Sequence, residues 1–331
     1  MDHENIIETQ DLFIEYKMKK YALKAVSAVN FHIKKGTITA LVGESGSGKT
    51  TLASSLLSCI TSPGEITQGK VLYWKGEKPL VINELKDAEL RKFRWSEISM
   101  VFQSAQSALN PILTVFEQFF ETAKAHNPQV TKEEVVKKMQ SLLNYVNLDY
   151  DRVSKAYPHE LSGGMKQRVM LAFSMLLDPK LIILDEPTTA LDVITQDYIF
   201  RILKKINREM GISMLLLTHD ISVVAKFSDY VAVMYAGRIM EYGTVKEVFK
   251  EQLHPYTEAL IRATPALDKD IAKMESIPGA SPDINNLPKG CKFAPRCSYA
   301  KECCFEKEPA DQNMNDIHTV KCYKVGESWT N

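Results

Sequence analysis

Residues 43–50 read Gly-Glu-Ser-Gly-Ser-Gly-Lys-Thr, and this stretch decides the fold. The β-rich run 37–42 precedes it and a helical pattern at 51–57 follows, so the order is strand, glycine-rich turn, helix. The spacing G-x-x-x-x-G-K-[ST] is that of a phosphate-binding loop, because glycines let the backbone turn its N–H groups toward phosphates. The following helix adds its positive N-terminus. We expect Lys49 to reach the β- and γ-phosphates of a nucleotide, and the Thr50 hydroxyl to ligate Mg²⁺.

Two further apolar runs, 181–184 and 214–217, have the character of buried strands that end in polar residues. Parallel α/β sheets place their chemistry at the carboxyl ends of strands. The first run ends at Asp185, which we expect to hold Mg²⁺ directly or through its water, and at Glu186, which can act as general base. The second ends at His219. Without the loop at 43–50, an Asp-Glu pair after a strand would more often be a helix cap or a surface pair.

The rest of the 331-residue chain divides into a helical stretch and a tail. Thr131 and Glu134 predict a capping box at the start of an amphipathic helix, and Gly211 is expected to end a helix over 192–210. After His254-Pro255, prolines and cysteines become frequent. We therefore predict a main domain at 1–254, with a helical subdomain at about 104–177, and a C-terminal extension at 255–331.

The composition favours a globular protein that does not bind nucleic acid. Lys+Arg and Asp+Glu are equal at 41 each, so the formal net charge is zero. The acidic, polar start predicts no secretory signal, and the apolar runs are too short to span a bilayer. A cytosolic protein is expected, in which the five cysteines of the tail are more typical of a metal site than of disulfides.

The octapeptide at 161–168, Leu-Ser-Gly-Gly-Met-Lys-Gln-Arg, resembles the signature sequence of ABC ATPases. It forms a second glycine-rich turn that opens a helix. In the order of that family, Gln103 is similar to the Q-loop glutamine, 190–192 to the D-loop and His219 to the switch histidine. Tyr21 is at about the distance of the adenine-stacking aromatic residue, and Tyr16 is the alternative. The implied fold is α/β: a P-loop NTPase core with a β-subdomain, a helical subdomain and a cysteine-containing C-terminal extension.

The resemblance also implies a mechanism, in which two such domains meet head to tail and bury two ATP molecules. The implied catalytic residues are Glu186, His219 and Gln103, and the implied Mg²⁺ ligands are Thr50, Gln103 and Asp185. The other implied nucleotide-binding residues, some acting on the ATP of the opposite chain, are Tyr21, Gly43, Glu44, Ser45, Gly46, Ser47, Gly48, Lys49, Thr51, Ser162, Gly163, Gly164, Gln167 and Asp192.

Four segments, 63–66, 107–111, 185–193 and 254–257, resemble the ATPases of oligopeptide and dipeptide importers. The resemblance implies a [4Fe–4S] cluster on Cys291, Cys297, Cys304 and Cys322. From spacing alone, four such cysteines could equally hold Zn²⁺. Cys303 is adjacent to Cys304 and could substitute for it, but the spacing of the family favours Cys304. A tail that holds no metal, or that forms a disulfide, is a further alternative. The loop at 103–106 departs from the commoner form, in which Asp-Pro follows the glutamine.

The implied partners are a second ABC ATPase subunit (a homologue or a second copy), two transmembrane permease subunits and an extracytoplasmic solute-binding protein. The chain would then lie at the cytoplasmic face of the membrane. Related importers carry nickel, glutathione or sugars, so the solute is not readable from this chain. Two other classes stay open: an ABC ATPase of another kind, and an iron–sulfur or zinc interaction protein that uses ATP as a structural ligand.

Overall fold

The structure is a computed structural model that describes residues 3–19, 21–103, 108–189, 191–264 and 276–325. The chain divides into two compact units. The first comprises Met1–Glu84 with Leu217–Asn331, and the second comprises Leu85–Leu216.

The described residues contain both sheets and helices, in agreement with the α/β prediction. The strands are β1 (Asn5–Lys17), β2 (Ala22–Lys34), β3 (Ile38–Val42), β4 (Gly64–Lys75), β5 (Lys78–Val81), β6 (Ile98–Val101), β7 (Leu181–Asp185), β8 (Ser213–Thr218), β9 (Tyr230–Tyr235), β10 (Arg238–Thr244), β11 (Gln312–Asn313) and β12 (Thr319–Val320). The helices are α1 (Lys49–Ser55), α2 (Asp87–Phe93), α3 (Val115–His126), α4 (Lys132–Tyr145), α5 (Tyr150–Val153), α6 (Gly163–Ser174), α7 (Val193–Met210), α8 (Ile221–Phe227), α9 (Val245–Lys250), α10 (Pro255–Arg262) and α11 (Glu302–Glu306).

The first unit contains an antiparallel sheet and a second group of strands, and the predicted phosphate loop follows one strand of this second group. The antiparallel sheet has the order β2-β1-β4-β5. The second group has the order β11-β12-β10-β9-β3, in which β3 runs parallel to β9. All five residues of β3 are buried, as expected for a strand covered on both faces. A core of apolar and aromatic side chains from β3, α8, β9 and the tail packs beside them.

Residues after 254 pack within this first unit. Strand β12 of the tail pairs with β10, and Phe293 and Tyr256 are almost completely buried. The buried Glu241 carboxylate lies 2.9 Å from His318 Nε2 and accepts hydrogen bonds from the Leu253 and His254 amides at 3.1 and 3.0 Å. The buried carboxylate on β10 thus has hydrogen-bond partners both from residues 253–254 and from the tail after residue 254. A separate domain from 255 onward stays a prediction.

The second unit is mainly helical, with the parallel strands β6 and β7 and the start of β8 beside β7. Thr131 and Glu134 form the expected capping box of α4, and four of its apolar residues (Val135, Met139, Leu142 and Leu143) are buried. Asp192 caps α7, and Gly211 ends it in the left-handed region with a φ of 65°. The local prediction of this helix is confirmed at both ends, because both signals depend on neighbouring residues alone.

In the described part of the chain, we find no helix with the length and apolar character needed to cross a membrane.

Candidate functional site

The predicted phosphate loop lies in the first unit, between the end of β3 at Val42 and the start of α1 at Lys49. The Lys49 ammonium donates to the carbonyl oxygens of Gly43 and Glu44, at 2.7 and 2.9 Å. Lys49 is buried, while Ser45 and Gly46 at the tip of the loop are exposed. The loop is therefore folded around its own lysine, with its tip open to a ligand.

Two hydrogen bonds tie this loop to other parts of the first unit. The Gly237 amide donates to the Ser47 carbonyl at 2.9 Å, and the Glu44 amide donates to the Tyr256 hydroxyl at 2.9 Å. The second bond departs from the expectation that successive amides of the loop all face the phosphates. In this arrangement the amide of Glu44 is used by the tail, because Tyr256 on α10 reaches it.

We expect the substitution Gly48→Ala to destabilise the first unit. Gly48 has a φ of 104°, and an added Cβ would lie 2.6 Å from the Ala25 carbonyl oxygen and 2.9 Å from Met234 Cε. Strain and overpacking at such a position cost about 2 kcal/mol or more in the free energy of unfolding. Thermal unfolding followed by circular dichroism measures the loss.

The matched control for this prediction is Gly36→Ala. Gly36 also has a positive φ, 70°, but a Cβ there would meet nothing within 4 Å. Only the backbone cost of about 1 kcal/mol remains. Equal losses of melting temperature in the two variants would contradict the role of the Ala25 contact.

The predicted acidic centre lies in the second unit at the end of β7. Asp185 is the last residue of that strand and is buried, and Glu186 follows with a φ of 46°. The Gln103 side-chain amide donates to Glu186 Oε2 at 2.8 Å, and the Thr189 hydroxyl donates to the same oxygen at 3.0 Å. A left-handed backbone at a non-glycine residue stores strain, and such strain concentrates at functional sites. The structure thus brings Gln103 and Glu186 together, and it adds Thr189, which the sequence patterns did not single out.

The second glycine-rich turn opens α6 in the same unit. The Ser162 hydroxyl caps the helix by accepting from the Met165 amide at 3.4 Å, and Ser162 is exposed. Gly163 and Gly164 form the first turn. Gln167 differs from these residues: it is buried, and its amide nitrogen has no hydrogen-bond partner within the described residues.

Asp192 performs a structural task in this unit. Its carboxylate accepts from the Thr195 hydroxyl at 2.6 Å and from the Thr195 amide at 3.0 Å. These hydrogen bonds, first from the hydroxyl and then from the amide, lower the pKa of Asp192. Ala190, predicted in the same short loop, lies outside the described residues, as do Ser104, Ala105, Gln106 and Ser107.

Three other predicted residues lie in the first unit. His219 is exposed between β8 and α8, and the next residue, Asp220, caps α8. Tyr21 is half exposed between β1 and β2. The Tyr16 hydroxyl lies 3.3 Å from the Thr51 hydroxyl on α1. That Tyr21, or Tyr16 as the alternative, stacks on adenine stays a prediction.

Four tail cysteines line one small cavity of about 20 Å³: Cys291, Cys297, Cys304 and Cys322. Cys303 is exposed and does not line it, so of the two adjacent cysteines Cys304 faces the others. Burial, followed by the neighbouring thiols, raises the pKa of Cys291 to about 12 and that of Cys322 to about 11. No group of three or more His, Cys, Asp or Glu side chains among the described residues is arranged so that it could hold a metal ion as it stands.

Comparison with known proteins places the chain in a family. A family profile described as "ABC transporter" matches residues 26–189, and one described as "Oligopeptide/dipeptide transporter, C-terminal region" matches residues 240–304. The chain is 42% identical to the dipeptide transport ATP-binding protein DppD of Caldanaerobacter subterraneus, over 97% of this chain and 98% of that protein. The chain belongs to the ATP-binding subunits of ABC transporters. It is an ABC ATPase, whose substrate is ATP and which is expected to use Mg²⁺.

Other relatives and solved structures agree with this membership. The ATPase subunit is 39% identical to the oligopeptide transport ATP-binding protein AppD of Bacillus subtilis, over 97% of both chains. A dimeric post-hydrolysis state of the ATP-binding cassette MJ0796 with ADP and Pi shares 31% identity at a TM-score of 0.63, over 72% of this subunit and 98% of the cassette. The structure of cbiO1 from Clostridium perfringens shares 29% identity at a TM-score of 0.63, over 76% and 92%.

Proposed function

We propose that this ATPase subunit supplies the energy for an importer of dipeptides or oligopeptides. The observation that carries this proposal is the likeness, over nearly the whole chain, to dipeptide and oligopeptide transport ATP-binding proteins, together with the match of its C-terminal region. The partners would be two transmembrane permease subunits, a solute-binding protein and a second ATPase subunit, either a homologue or another copy. The subunit would then lie at the cytoplasmic face of the membrane.

A transport experiment on the whole complex tests the solute. The complex, purified with its permeases and reconstituted with its solute-binding protein in liposomes, should accumulate a labelled dipeptide or oligopeptide when ATP is on the side of this subunit. Nickel, glutathione and sugars should not accumulate. Uptake of nickel, glutathione or a sugar without uptake of peptide would contradict the proposal and would identify the complex as another kind of importer of the same family.

The loop at 43–50 is proposed to bind the ATP phosphates. Its exposed tip, its buried Lys49 and the N-terminus of α1 support this assignment. Thr50, Gln103 and Asp185 would hold the Mg²⁺ ion, which would neutralise charge on the phosphates.

Glu186 is proposed as the general base that takes the proton of the attacking water. Gln103 and Thr189 both donate to its Oε2, which fixes the orientation of the carboxylate. His219 would contact the γ-phosphate, and Tyr21 would stack on the adenine. The turn at Ser162, Gly163 and Gly164 is proposed to bind the ATP of the partner subunit, with Asp192 holding the adjacent turn in place.

The tail cysteines are proposed to ligate a [4Fe–4S] cluster. What supports this is the donor set: four thiols that share one cavity, with the exposed Cys303 outside it. The cavity of about 20 Å³ is small for a four-iron cluster, and a zinc ion needs less room. Both the iron–sulfur cluster and Zn²⁺ bind thiolates, so the thiols must lose their protons when either is bound. The free energy of binding would offset the cost of deprotonation that the raised pKa values of Cys291 and Cys322 imply.

The subunit purified without oxygen is expected to contain about four iron and four sulfide ions per chain, with the visible absorption of an iron–sulfur cluster. The substitution Cys322→Ser should abolish this content, because it removes one of the four ligands. Cys303→Ser and Cys59→Ser should keep it, because neither thiol lines the cavity. If the subunit contains about one zinc ion per chain without iron, or no metal at all, the proposal of an iron–sulfur cluster is wrong.

A further inference from the structure

The carboxylate of Glu44, the second residue of the phosphate loop, is bound by an arginine of the tail. Arg296 donates from one terminal nitrogen to Glu44 Oε2 at 2.6 Å and from the other to Oε1 at 3.1 Å. This two-point geometry is the strongest form of an arginine–carboxylate pair. The Arg296 side chain is 7% exposed and that of Glu44 is 22% exposed, so the pair is largely shielded from water.

Arg296 is held rigidly by its surroundings. Its Nε donates to the Pro278 carbonyl at 2.7 Å, and a terminal nitrogen also lies 3.3 Å from the Tyr235 hydroxyl. The guanidinium lies 5.8 Å from the ring centroid of Tyr235 and 5.9 Å from that of Phe293. All three guanidinium nitrogens thus have partners, and the group presents its charge to Glu44 in one orientation.

The backbone of Glu44 has a second tie to residues after 254. Its amide donates to the hydroxyl of Tyr256, which is completely buried on α10. Tyr256 packs against Tyr235 and Phe293, with ring centroids 4.6 and 5.2 Å apart. Both the amide and the carboxylate of one loop residue are therefore fixed by the same aromatic cluster and by the arginine that lies on it.

We propose that Arg296 is a positioning residue for ATP binding, which neutralises the Glu44 carboxylate and draws it toward the tail so that it does not repel the phosphates. Like charges within a few ångström repel strongly when they are shielded from water. An unpaired Glu44 carboxylate in the loop would oppose the negative charge of ATP. The C-terminal tail thereby sets the affinity of the loop for ATP. This inference rests on the proposed assignment of the loop as the phosphate site.

The proposal predicts opposite effects for the two partners. The substitution Arg296→Gln should raise the KM for ATP on the order of tenfold, about 1.4 kcal/mol. It should change kcat less than twofold, because Glu186 and Gln103 are untouched. Glu44→Gln should lower the KM, because it removes the negative charge that opposes the phosphates, although it lowers the melting temperature by taking the carboxylate partner from the Arg296 cation. The double variant should recover most of the affinity that Arg296→Gln loses.

The test measures the KM, the kcat, the ATP dissociation constant and the melting temperature of these variants in the full-length subunit. The control is Glu308→Gln, which breaks another tail ion pair, Arg238–Glu308 at 2.6 Å, that does not involve the loop. It should lower the melting temperature without raising the KM. Arg296→Lys keeps the charge but not the two-point geometry, so its KM should lie between those of wild type and Arg296→Gln. If Arg296→Gln does not fold, Arg296→Lys takes its place in the test.

Two outcomes separate failure of this inference from failure of the proposed ATP site. If Lys49→Ala binds ATP like wild type, the loop is not the phosphate site. If Lys49→Ala loses ATP but the Arg296 variants bind it as the Glu308 control does, the positioning role alone is wrong. A several-fold higher KM for Glu44→Gln, or a double variant weaker than Arg296→Gln, would mean that the pair stabilises the fold only.

Discussion

Replacing Glu186 by glutamine is expected to lower the rate of ATP hydrolysis by at least about a hundredfold while ATP binding is retained. The amide has nearly the shape of the carboxylate, so its oxygen can still accept from Gln103 and Thr189, which bind Glu186 Oε2 at 2.8 and 3.0 Å. What the variant loses is the ability to take a proton from water. Because the Asp185 carboxylate and the phosphate loop are unchanged, bound ATP should persist and hold a closed dimer of ATPase domains.

The measurement is phosphate release under saturating ATP, together with the ATP dissociation constant and the oligomeric state. Glu209→Gln is the matched control, because Glu209 is an exposed glutamate of the same unit, on α7. It should hydrolyse ATP like wild type. A Glu186→Gln variant with more than about a tenth of the wild-type rate would show that another group acts as the base.

Replacing Lys49 by alanine is expected to raise the ATP dissociation constant by at least about a hundredfold. The ammonium donates to the carbonyls of Gly43 and Glu44, at 2.7 and 2.9 Å, and is buried at 8% exposure. The substitution removes a cation that can turn toward the phosphates and also leaves two loop carbonyls without that donor. The free energy of ATP binding should therefore change by more than the free energy of unfolding of the subunit without ATP.

Isothermal titration with ATP and Mg²⁺ measures this loss. Lys35→Ala is the control, since Lys35 is an exposed lysine in the turn after β2 of the same unit. Its removal lowers the net charge equally and should change the dissociation constant less than twofold. A Lys49→Ala variant within about threefold of the control would refute the assignment of the loop.

Most elements that carry the site could be predicted from the sequence because their signals are local. The strand before the loop, the capping box of Thr131 and Glu134, and the helix that ends at Gly211 each depend on residues a few positions apart. The left-handed backbone of Glu186 could not be predicted in the same way. Glutamate has no preference for that region, so only the surrounding fold imposes it.

For the cysteines, too, one part of the arrangement could be predicted from the sequence and another part only from the fold. Their number and crowding in the tail are visible in the sequence, where Cys303 could substitute for Cys304 and only the spacing of the related family favours Cys304. The short helix α11 turns Cys304 toward the cavity and leaves Cys303 exposed. Adjacent residues on a helix face different directions, which decides between them.

The sequence at 37–57 by itself determined a glycine-rich loop between a strand and a helix, and it predicted phosphate binding there, because glycine geometry and the helix N-terminus are properties of the local chain. Only the tertiary structure decided what surrounds that loop. It pairs Glu44 with Arg296, 252 positions away, and joins Gln103 to Glu186, 83 positions away. Such partners are set by how strands and tail pack, and no local pattern encodes which distant side chain will arrive.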